Sequence, residues 1–331
     1  MAEKNPLLVV ENVTMEFHSQ RRFLEKAKPS VKAVNDVSFE VYEGETFGLV
    51  GESGCGKTTL GKCIVRLLKP SAGKIYFNDN GEMKDLLNLP KAESKAMRKK
   101  VQIVFQDPYA SLNPQHTILE AFDEPMRVHG VGGNKEQRKE LIAEALKRVN
   151  LQPEYMYRYP HEFSGGQRQR ICVAKALVLD PKLIVCDEPV SALDVSIQAQ
   201  LLNLMNKLQA ELGVTFIFIA HDLSVVQYMS DRIGVMYLGN MVELADADEL
   251  YNNTMHPYTE ALLSAVPVPV INGKRDRIIL EGDVPSPMNP PSGCPFHPRC
   301  AKCMEICKQE KPVLEEKRDG HFVACHLFNN K

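Results

Sequence analysis

The chain has 331 residues, which is enough for about two domains and a large hydrophobic core. Its 40 basic and 42 acidic side chains leave a formal net charge of −2, so the composition gives no global bias toward nucleic acid or anionic lipid. The apolar runs are far shorter than the ~20 residues that span a bilayer, and residues 1–10 lack the apolar core of a signal peptide. We therefore expect the chain to stay in the cytoplasm.

Strands are predicted at the start of the chain. Residues 7–17 and 31–41 are rich in β-branched and aromatic side chains with partial alternation, which predicts two strands of an antiparallel subsheet. Residues 46–50 form a short apolar run that ends at Gly51, as a buried strand would, and a helix is expected from Thr58.

Alternating strands and helices follow further along the chain. Apolar runs at 183–186 and 214–220 alternate with helical patterns at 165–179 and 196–212. This alternation is typical of parallel strands joined by helices, so the sequence predicts an α/β core.

A mostly helical stretch precedes that core. Residues 118–128 and 135–149 carry apolar side chains at helical spacing. We interpret residues 107–165 as a separate helical subdomain.

The end of the chain has a different organisation. Gly239 and Asn240 predict a hairpin turn between strands at 233–237 and 241–244. Residues 266–291 are rich in proline and are interpreted as a linker to a small terminal module.

Residues 51–59 read GESGCGKTT and fit the GxxxxGK[ST] phosphate-loop template. Glycines let backbone N–H groups turn inward around an anion, and the following helix N-terminus adds partial positive charge. Lys57 is expected to reach the β- and γ-phosphates, and Thr58 to offer its hydroxyl to Mg²⁺. The candidate ATP-binding residues of this loop are Gly51, Ser53, Gly54, Cys55, Gly56, Lys57, Thr58 and Thr59.

Two alternatives bear on this loop. A surface loop could match the template by chance, but the apolar run before it and the helix after it favour a true phosphate loop. GTPases share the loop, yet residues 134–137 read NKEQ and fail the guanine-reading NKxD pattern. The expected base is therefore adenine.

Two acidic residues, Asp187 and Glu188, end the apolar run at 183–186. In isolation, such a pair could merely cap the next helix. Here it follows residues 163–167, which read FSGGQ, and these in turn follow the phosphate loop. This order of motifs resembles the ABC-type ATPases, which implies a P-loop NTPase fold with a RecA-like core, an antiparallel β subdomain and a helical subdomain.

The resemblance also implies catalytic roles. Asp187 would hold Mg²⁺ through its water shell, while Glu188 would polarise the attacking water. Gln106 resembles the loop glutamine that contacts Mg²⁺ and links the core to the helical subdomain. His221 resembles the switch histidine at the γ-phosphate, and Asp194 lies in the loop by which one ATPase senses the other's site.

The FSGGQ run implies a partner. Its residues open a helix, so a hydroxyl and several N–H groups can bind phosphate oxygens, and in the family they bind ATP held by the opposite subunit. Phe163 stands where Leu is usual. The residues assigned to the partner's ATP are Ser164, Gly165, Gly166 and Gln167.

Phe17 matches the position where the family often places an aromatic residue against adenine. The long insertion after it weakens this alignment. A Phe of the core or of an edge strand is the alternative interpretation.

Longer segments resemble a narrower family. Residues 105–114 (FQDPYASLNP), 159–170 (YPHEFSGGQRQR), 256–267 (HPYTEALLSAVP) and 287–299 (PMNPPSGCPFHPR) are similar to the oligopeptide and dipeptide permease ATPases, and most similar to the second of their two ATPase subunits.

That similarity implies import of oligopeptides or dipeptides, driven by ATP from the cytoplasmic face of the membrane, where the chain would be peripheral. The implied partners are a second, non-identical ATPase, two transmembrane permease subunits and, indirectly, an extracytoplasmic substrate-binding protein, with no nucleic acid. We assign residues 1–250 to the ATPase cassette and residues 251–331 to a C-terminal extension.

Three alternatives to peptide import remain open. The importer could carry another small solute such as nickel. The chain could be a non-transport ABC ATPase that acts on ribosomes or DNA, although such proteins commonly join two cassettes or carry a coiled-coil insertion. It could also regulate partners through the metal or redox state of its terminal cysteines.

Five of the nine cysteines crowd the end of the chain, at Cys294, Cys300, Cys303, Cys307 and Cys325. Cytosolic proteins rarely keep disulfides and five is an odd number, so a metal or cluster role gains weight. By resemblance, all but Cys303 match a four-cysteine pattern associated with a 4Fe–4S cluster. Zinc, with nearby His297, His321 and His326 as further ligands, and simply reduced thiols stay open, and Cys303 is a possible extra ligand.

Overall fold

The computed structural model describes residues 5–18, 30–266 and 277–329. Its strands are β1 (Pro6–Phe17), β2 (Val31–Tyr42), β3 (Thr46–Val50), β4 (Ala72–Asp79), β5 (Glu82–Asp85), β6 (Val101–Val104), β7 (Leu183–Asp187), β8 (Thr215–Ile219), β9 (Arg232–Tyr237), β10 (Asn240–Asp246), β11 (Glu315–Arg318) and β12 (His321–Val323). Its α-helices are α1 (Lys57–Ile64), α2 (Lys91–Lys100), α3 (Pro108–Ser111), α4 (Ile118–Val128), α5 (Lys135–Arg148), α6 (Gly165–Leu177), α7 (Val195–Leu212), α8 (Leu223–Met229), α9 (Ala247–Asn252), α10 (Pro257–Ser264) and α11 (Glu305–Gln309). None of these helices combines the length and the apolar composition that crossing a bilayer requires.

The described residues fall into two compact units. The helical unit contains Tyr42–Thr46 and Asn88–Ile219. The phosphate-loop unit contains residues 7–41, 47–87 and those described beyond 219. The predicted division of the chain at residue 250 stays a prediction.

Three parallel strands form the sheet of the helical unit, in the order β8, β7, β6. Every residue of β7 and β8 is buried, so each strand is a continuous apolar run rather than an alternating one. The predicted parallel strands at 183–186 and 214–220 are confirmed, as are the predicted helices that correspond to α6 and α7.

The helices α4 and α5 confirm the helical pattern between residues 118 and 149. Each begins with a capping box, in which the cap side chain and a side chain three residues later satisfy each other's backbone N–H groups. The pairs are Thr117 with Glu120, and Asn134 with Gln137. The NKEQ segment that fails the guanine pattern is therefore the start of a helix.

Two sheets build the phosphate-loop unit. The first has the order β2, β1, β4, β5, and the predicted strands at 7–17 and 31–41 are confirmed in it as β1 and β2. The second contains β11, β12, β10, β9 and β3 in that order, with β3 parallel to β9 and the other pairs antiparallel. The predicted strand β3 and the helix α1 that follows the phosphate loop are confirmed.

The hairpin between β9 and β10 corrects one prediction. Asn240 pairs with Tyr237, so the two turn residues are Leu238 and Gly239 rather than Gly239 and Asn240. Both turn residues have positive φ, at 43° and 77°, as a type I′ turn requires. Asn240 begins β10, and its side-chain amide donates to the carbonyl of Leu238 at 2.7 Å.

The hairpin of β4 and β5 was not predicted, although the sequence carried a signal for it. Its turn is Asn80–Gly81, with φ of 58° and 96°, and Asp79 pairs with Glu82 on either side. An Asn-Gly pair is the strongest short-range indication of such a turn.

The terminal segment adds strands to the second sheet. Residues 277–291 of the predicted linker have no helix or strand, and residues 267–276 lie outside the described residues. Beyond them, β12 pairs with β10 through Glu243 and Val323. Buried His321 contacts Glu243 Oε1 through Nε2 at 2.9 Å and Glu249 Oε1 through Nδ1 at 3.3 Å. Burial opposes a charge on His321, but the two carboxylates raise its pKa above the ordinary value.

Candidate functional site

The phosphate loop joins β3 to α1 in the phosphate-loop unit. At Gly51 a Cβ atom would lie 2.2 Å from the carbonyl oxygen of Met236, and at Gly56 one would lie 2.0 Å from that of Ala33. Both glycines also have positive φ, at 148° and 106°. No other residue fits these positions without moving the backbone, so the glycines fix the course of the loop.

Lys57 is buried inside this loop, with 4% of its surface exposed. Its Nζ donates to the carbonyl oxygens of Gly51 at 2.6 Å and Glu52 at 3.1 Å. Burial raises the pKa of the neighbouring Cys55 thiol, although the ammonium opposes this shift, so Cys55 stays protonated at neutral pH. The loop therefore holds a buried cation among backbone groups that can turn toward an anion.

The other residues of the loop are more accessible. Ser53 and Gly54 are exposed, while Thr58 and Thr59 are half-buried in the first turn of α1. In the same unit, Phe17 ends β1 with 41% of its surface exposed, so it is not a core residue. His221 is exposed, directly before Asp222, which caps α8 by accepting from Ser224 N.

Glu52 is a residue of this loop that sequence reasoning missed. Its backbone N–H donates to the Tyr258 hydroxyl at 2.8 Å. Its carboxylate accepts two hydrogen bonds from the Arg299 guanidinium, at 2.7 and 3.1 Å. Both partners are more than two hundred positions away, so no local pattern could have indicated them.

The acidic pair lies in the helical unit. Asp187 is the buried last residue of β7, and Glu188 follows with φ of 46°. Gln106 Nε2 donates to Glu188 Oε2 at 2.9 Å and to Ser191 Oγ at 3.3 Å. Ser191 Oγ in turn donates to the carbonyl oxygen of Glu188 at 3.1 Å. The structure thus brings together two predicted site residues, Gln106 and Glu188, across 82 positions of sequence.

The FSGGQ run begins α6 in the same unit. Ser164 is the N-cap residue, and it exchanges two hydrogen bonds with Gln167, at 3.0 and 3.3 Å. Ser164 is exposed, whereas Phe163 is buried with its ring edge-on to Tyr155 at 5.6 Å. The unusual side chain of Phe163 therefore packs inward, away from the exposed cap.

Further predicted residues lie at the starts of α6 and α7. A Cβ at Gly166 would lie 2.4 Å from Ile197 Cγ2 of α7, whereas at Gly165 it would meet only Leu193, at 3.9 Å. Asp194 is exposed at the N-cap position of α7, where its carbonyl oxygen accepts from Gln198 N.

Four terminal cysteines line one small cavity in the phosphate-loop unit: Cys294, Cys300, Cys307 and Cys325. His256, His297 and His326 also line it, but Cys303 does not. Burial and the neighbouring thiols raise the pKa of Cys294 to about 12, and burial raises that of Cys325 to about 11. At neutral pH these thiols keep their protons unless a cation displaces them.

The donor chemistry suits a cluster or zinc, because soft thiolates are the ligands that both prefer. The candidate ligands are nevertheless not gathered as they would be around a bound metal ion. Within residues 5–18, 30–266 and 277–329, no three His, Cys, Asp or Glu side chains are grouped closely enough to hold a metal ion.

Comparison with known proteins identifies two regions of the chain. Residues 34–191 match a family model described as ABC transporter. Residues 242–307 match one described as oligopeptide/dipeptide transporter, C-terminal region.

Curated relatives extend over nearly the whole chain. The chain is 51% identical to the oligopeptide transport ATP-binding protein AppF of Bacillus subtilis over 331 residues, which covers 99% of each protein. It is 50% identical to the oligopeptide transport ATP-binding protein OppF of Haemophilus influenzae over 326 residues, which covers 97% of each.

A solved structure supports the fold. The ATP-binding cassette MJ0796, in a dimeric post-hydrolysis state bound to ADP and Pi, aligns with a TM-score of 0.61 at 28% identity, over 72% of this chain and 98% of that one. The fold is therefore the P-loop fold of ABC ATPases, with mixed sheets and helices. The chain belongs to the ABC transporter family, among the ATP-binding proteins that carry the oligopeptide/dipeptide transporter C-terminal region.

Proposed function

We propose that this chain hydrolyses ATP to power the import of oligopeptides or dipeptides through an ABC transporter. The observation that carries the proposal is the full-length similarity to AppF and OppF, which are named as oligopeptide transport ATP-binding proteins. That similarity includes the C-terminal region, which distinguishes this group from ABC cassettes in general.

Glu188 is the proposed general base. It accepts a proton from the water that attacks the γ-phosphorus, the bond from that phosphorus to the bridging oxygen breaks, and ADP leaves. The hydrogen bond from Gln106 at 2.9 Å supports this role, because it orients the carboxylate. We assign His221 to the γ-phosphate as a hydrogen-bond donor.

The phosphate loop is the proposed ATP site, with Lys57 turning from loop carbonyls to the β- and γ-phosphates. Mg²⁺ prefers oxygen ligands, and the buried carboxylate of Asp187 and the hydroxyl of Thr58 are donors of that kind. When bound, Mg²⁺ neutralises charge on the phosphate oxygens. Phe17, being exposed, is available to stack against adenine.

The FSGGQ run is proposed to bind ATP held by a partner ATPase. The exposed cap at Ser164 and the start of α6 offer a hydroxyl and helix N-terminal N–H groups for phosphate oxygens. Gly165, Gly166 and Gln167 belong to the same surface, and Asp194 to the loop that senses the partner. The dimeric state of the MJ0796 cassette supports two such composite sites.

The finer assembly is also part of the proposal. A second, non-identical ATPase completes the dimer, and two transmembrane permease subunits hold the pair at the cytoplasmic face of the membrane. Within the chain, we assign a RecA-like core, an antiparallel β subdomain, a helical subdomain and a small Cys-rich terminal module.

Cys294, Cys300, Cys307 and Cys325 are proposed to hold a 4Fe–4S cluster. The shared cavity supports this set of ligands and leaves out Cys303. Cysteines bind a cluster as thiolates, and the four sulfur atoms must move closer together on binding, which links cluster formation to the folding of the terminal module.

Anaerobically purified chain is expected to contain iron and acid-labile sulfide. Cys300→Ser removes a cavity thiol and is expected to lose most of both, whereas the matched variant Cys303→Ser should retain them. Iron, sulfide and zinc analysis of the three proteins checks this. Zinc without acid-labile sulfide would show that the cysteines bind zinc rather than a cluster. Equal loss of iron from both variants would contradict the assignment of ligands.

The importer itself is tested by native mass spectrometry of the complex extracted in detergent from membranes of cells that express tagged chain. The expected mass contains this chain, a second ATPase and two membrane subunits. A chain recovered only with ribosomes, with DNA or with itself would contradict the importer and favour a non-transport ABC ATPase.

A further inference from the structure

Side chains that lie far beyond the phosphate loop in sequence form hydrogen bonds with it. We propose that Arg299 is a positioning residue for ATP: it anchors and neutralises Glu52, so that the terminal module sets the affinity of the phosphate loop for nucleotide. The inference rests on the proposed function in one respect, since it takes residues 51–59 as the ATP site.

The ion pair has a specific geometry. Arg299 Nη1 lies 2.7 Å from Glu52 Oε2, and Nη2 lies 3.1 Å from Oε1, so the guanidinium binds the carboxylate with both arms. The Arg299 side chain is only 7% exposed. Its hydrogen bonds to Glu52 raise its pKa above the usual range. The guanidinium is thus buried and paired, and two parallel hydrogen bonds to one carboxylate add strength and fix the relative orientation of the two side chains.

A buried aromatic cluster holds Arg299 in place. Phe296, three residues before Arg299, packs against Tyr237 and Tyr258 with ring centroids 5.3 Å from each. The three rings are buried completely or almost completely. The Tyr258 hydroxyl also accepts the backbone N–H of Glu52, so the same cluster fixes both the main chain and the side chain of this loop residue.

Glu52 connects this anchor to the phosphate-binding cation. Its carbonyl oxygen accepts from Lys57 Nζ at 3.1 Å and from Cys55 N at 3.3 Å. A shift of Glu52 therefore moves a group that positions Lys57. Arg299 is in this way joined to Lys57 through one residue.

Charge gives the pair a direct effect on binding. ATP is a multiply charged anion, and a bare carboxylate in the loop would repel it. The guanidinium cancels that charge. Removal of Arg299 thus both loosens Glu52 and leaves its negative charge beside the nucleotide.

The test compares ATP affinities of purified full-length chains. Arg299→Ala is expected to raise the Kd for ATP by ~5- to 150-fold, the usual size of a coupling between sites. The double variant Arg299→Ala with Glu52→Gln carries no bare charge and should recover the part of the affinity that the charge removes, while the part due to anchoring stays lost. Lys302→Ala is the matched control: it removes a cation of the same module that pairs with Glu260 at the surface, and should not change the Kd.

A turnover measurement in the assembled transporter separates positioning from chemistry. Arg299→Ala is expected to raise KM for ATP while kcat at saturating ATP stays close to the original value. Arg299→Lys keeps the charge but cannot make both hydrogen bonds to the carboxylate, so its KM for ATP should lie between those of the unmutated chain and Arg299→Ala. If Arg299→Ala fails to fold, Arg299→Lys provides the test in its place.

Unchanged Kd in Arg299→Ala or in Arg299→Lys would overturn the inference. So would a double variant as weak as Arg299→Ala, because neutralisation of Glu52 would then contribute nothing to the affinity for ATP. These results are distinct from failure of the proposed function, in which the unmutated chain itself would not bind ATP.

Discussion

Glu188→Gln is expected to bind ATP as well as the unmutated chain and to lower ATP turnover by ~10²–10⁴-fold, the usual cost of removing a general base. The amide is isosteric with the carboxylate, and its oxygen can still accept from Gln106 Nε2, which lies 2.9 Å from Glu188 Oε2. The local arrangement is therefore kept, while the proton acceptor is removed. Turnover by the assembled transporter and ATP binding by the purified chain measure the two effects.

The same chemical change at Glu211 provides the control. Glu211 lies on α7, where it is exposed and 3.7 Å from Lys207. Such a surface pair contributes little, so Glu211→Gln should leave turnover unchanged. Normal turnover in Glu188→Gln would show that another group takes the proton.

Lys57→Ala is expected to weaken ATP binding by ~10–150-fold for each hydrogen bond that the ammonium makes to a phosphate oxygen, since a hydrogen bond to a charged group is worth about 1.5–3 kcal/mol. The ammonium is buried in the loop and bonded to the carbonyl oxygens of Gly51 and Glu52. Alanine also leaves these two acceptors without that donor. Titration of the purified chain with ATP measures the decrease in affinity.

Lys62→Ala is the control for charge in the same helix. Lys62 lies in the last turn of α1, whereas Lys57 begins the helix. We expect its removal to leave the Kd for ATP near the original value. If Lys57→Ala bound ATP with unchanged affinity, residues 51–59 would not be the nucleotide site.

Local patterns predicted much of the fold. The strands β1, β2, β3, β7 and β8 and the helices α1, α4, α5, α6 and α7 were predicted within a few residues, because their apolar spacing or continuous apolar runs are properties of the segment itself. The β4 and β5 hairpin was missed despite its Asn-Gly turn. The turn at Leu238 and Gly239 was misplaced by one residue because Leu rarely has positive φ.

Long-range contacts could not be predicted in the same way. Gln106 and Glu188 were both assigned to the site through resemblance to a family rather than through any spacing, since 82 positions separate them. The contact of Glu52 with Arg299 spans 247 positions and has no local signal in either segment. Such contacts depend on the folded topology, and only the structure shows them.

The pairing of β12 with β10 has a consequence for truncation. If the residues after 291 were removed, β10 would become an edge strand with unpaired N–H and C=O groups, open to association with other chains. Buried Glu243 would lose His321 at the same time. Aggregation of a shortened chain would thus reflect the missing strand rather than the loss of the cysteines. Point substitutions therefore test the role of the terminal cysteines more directly.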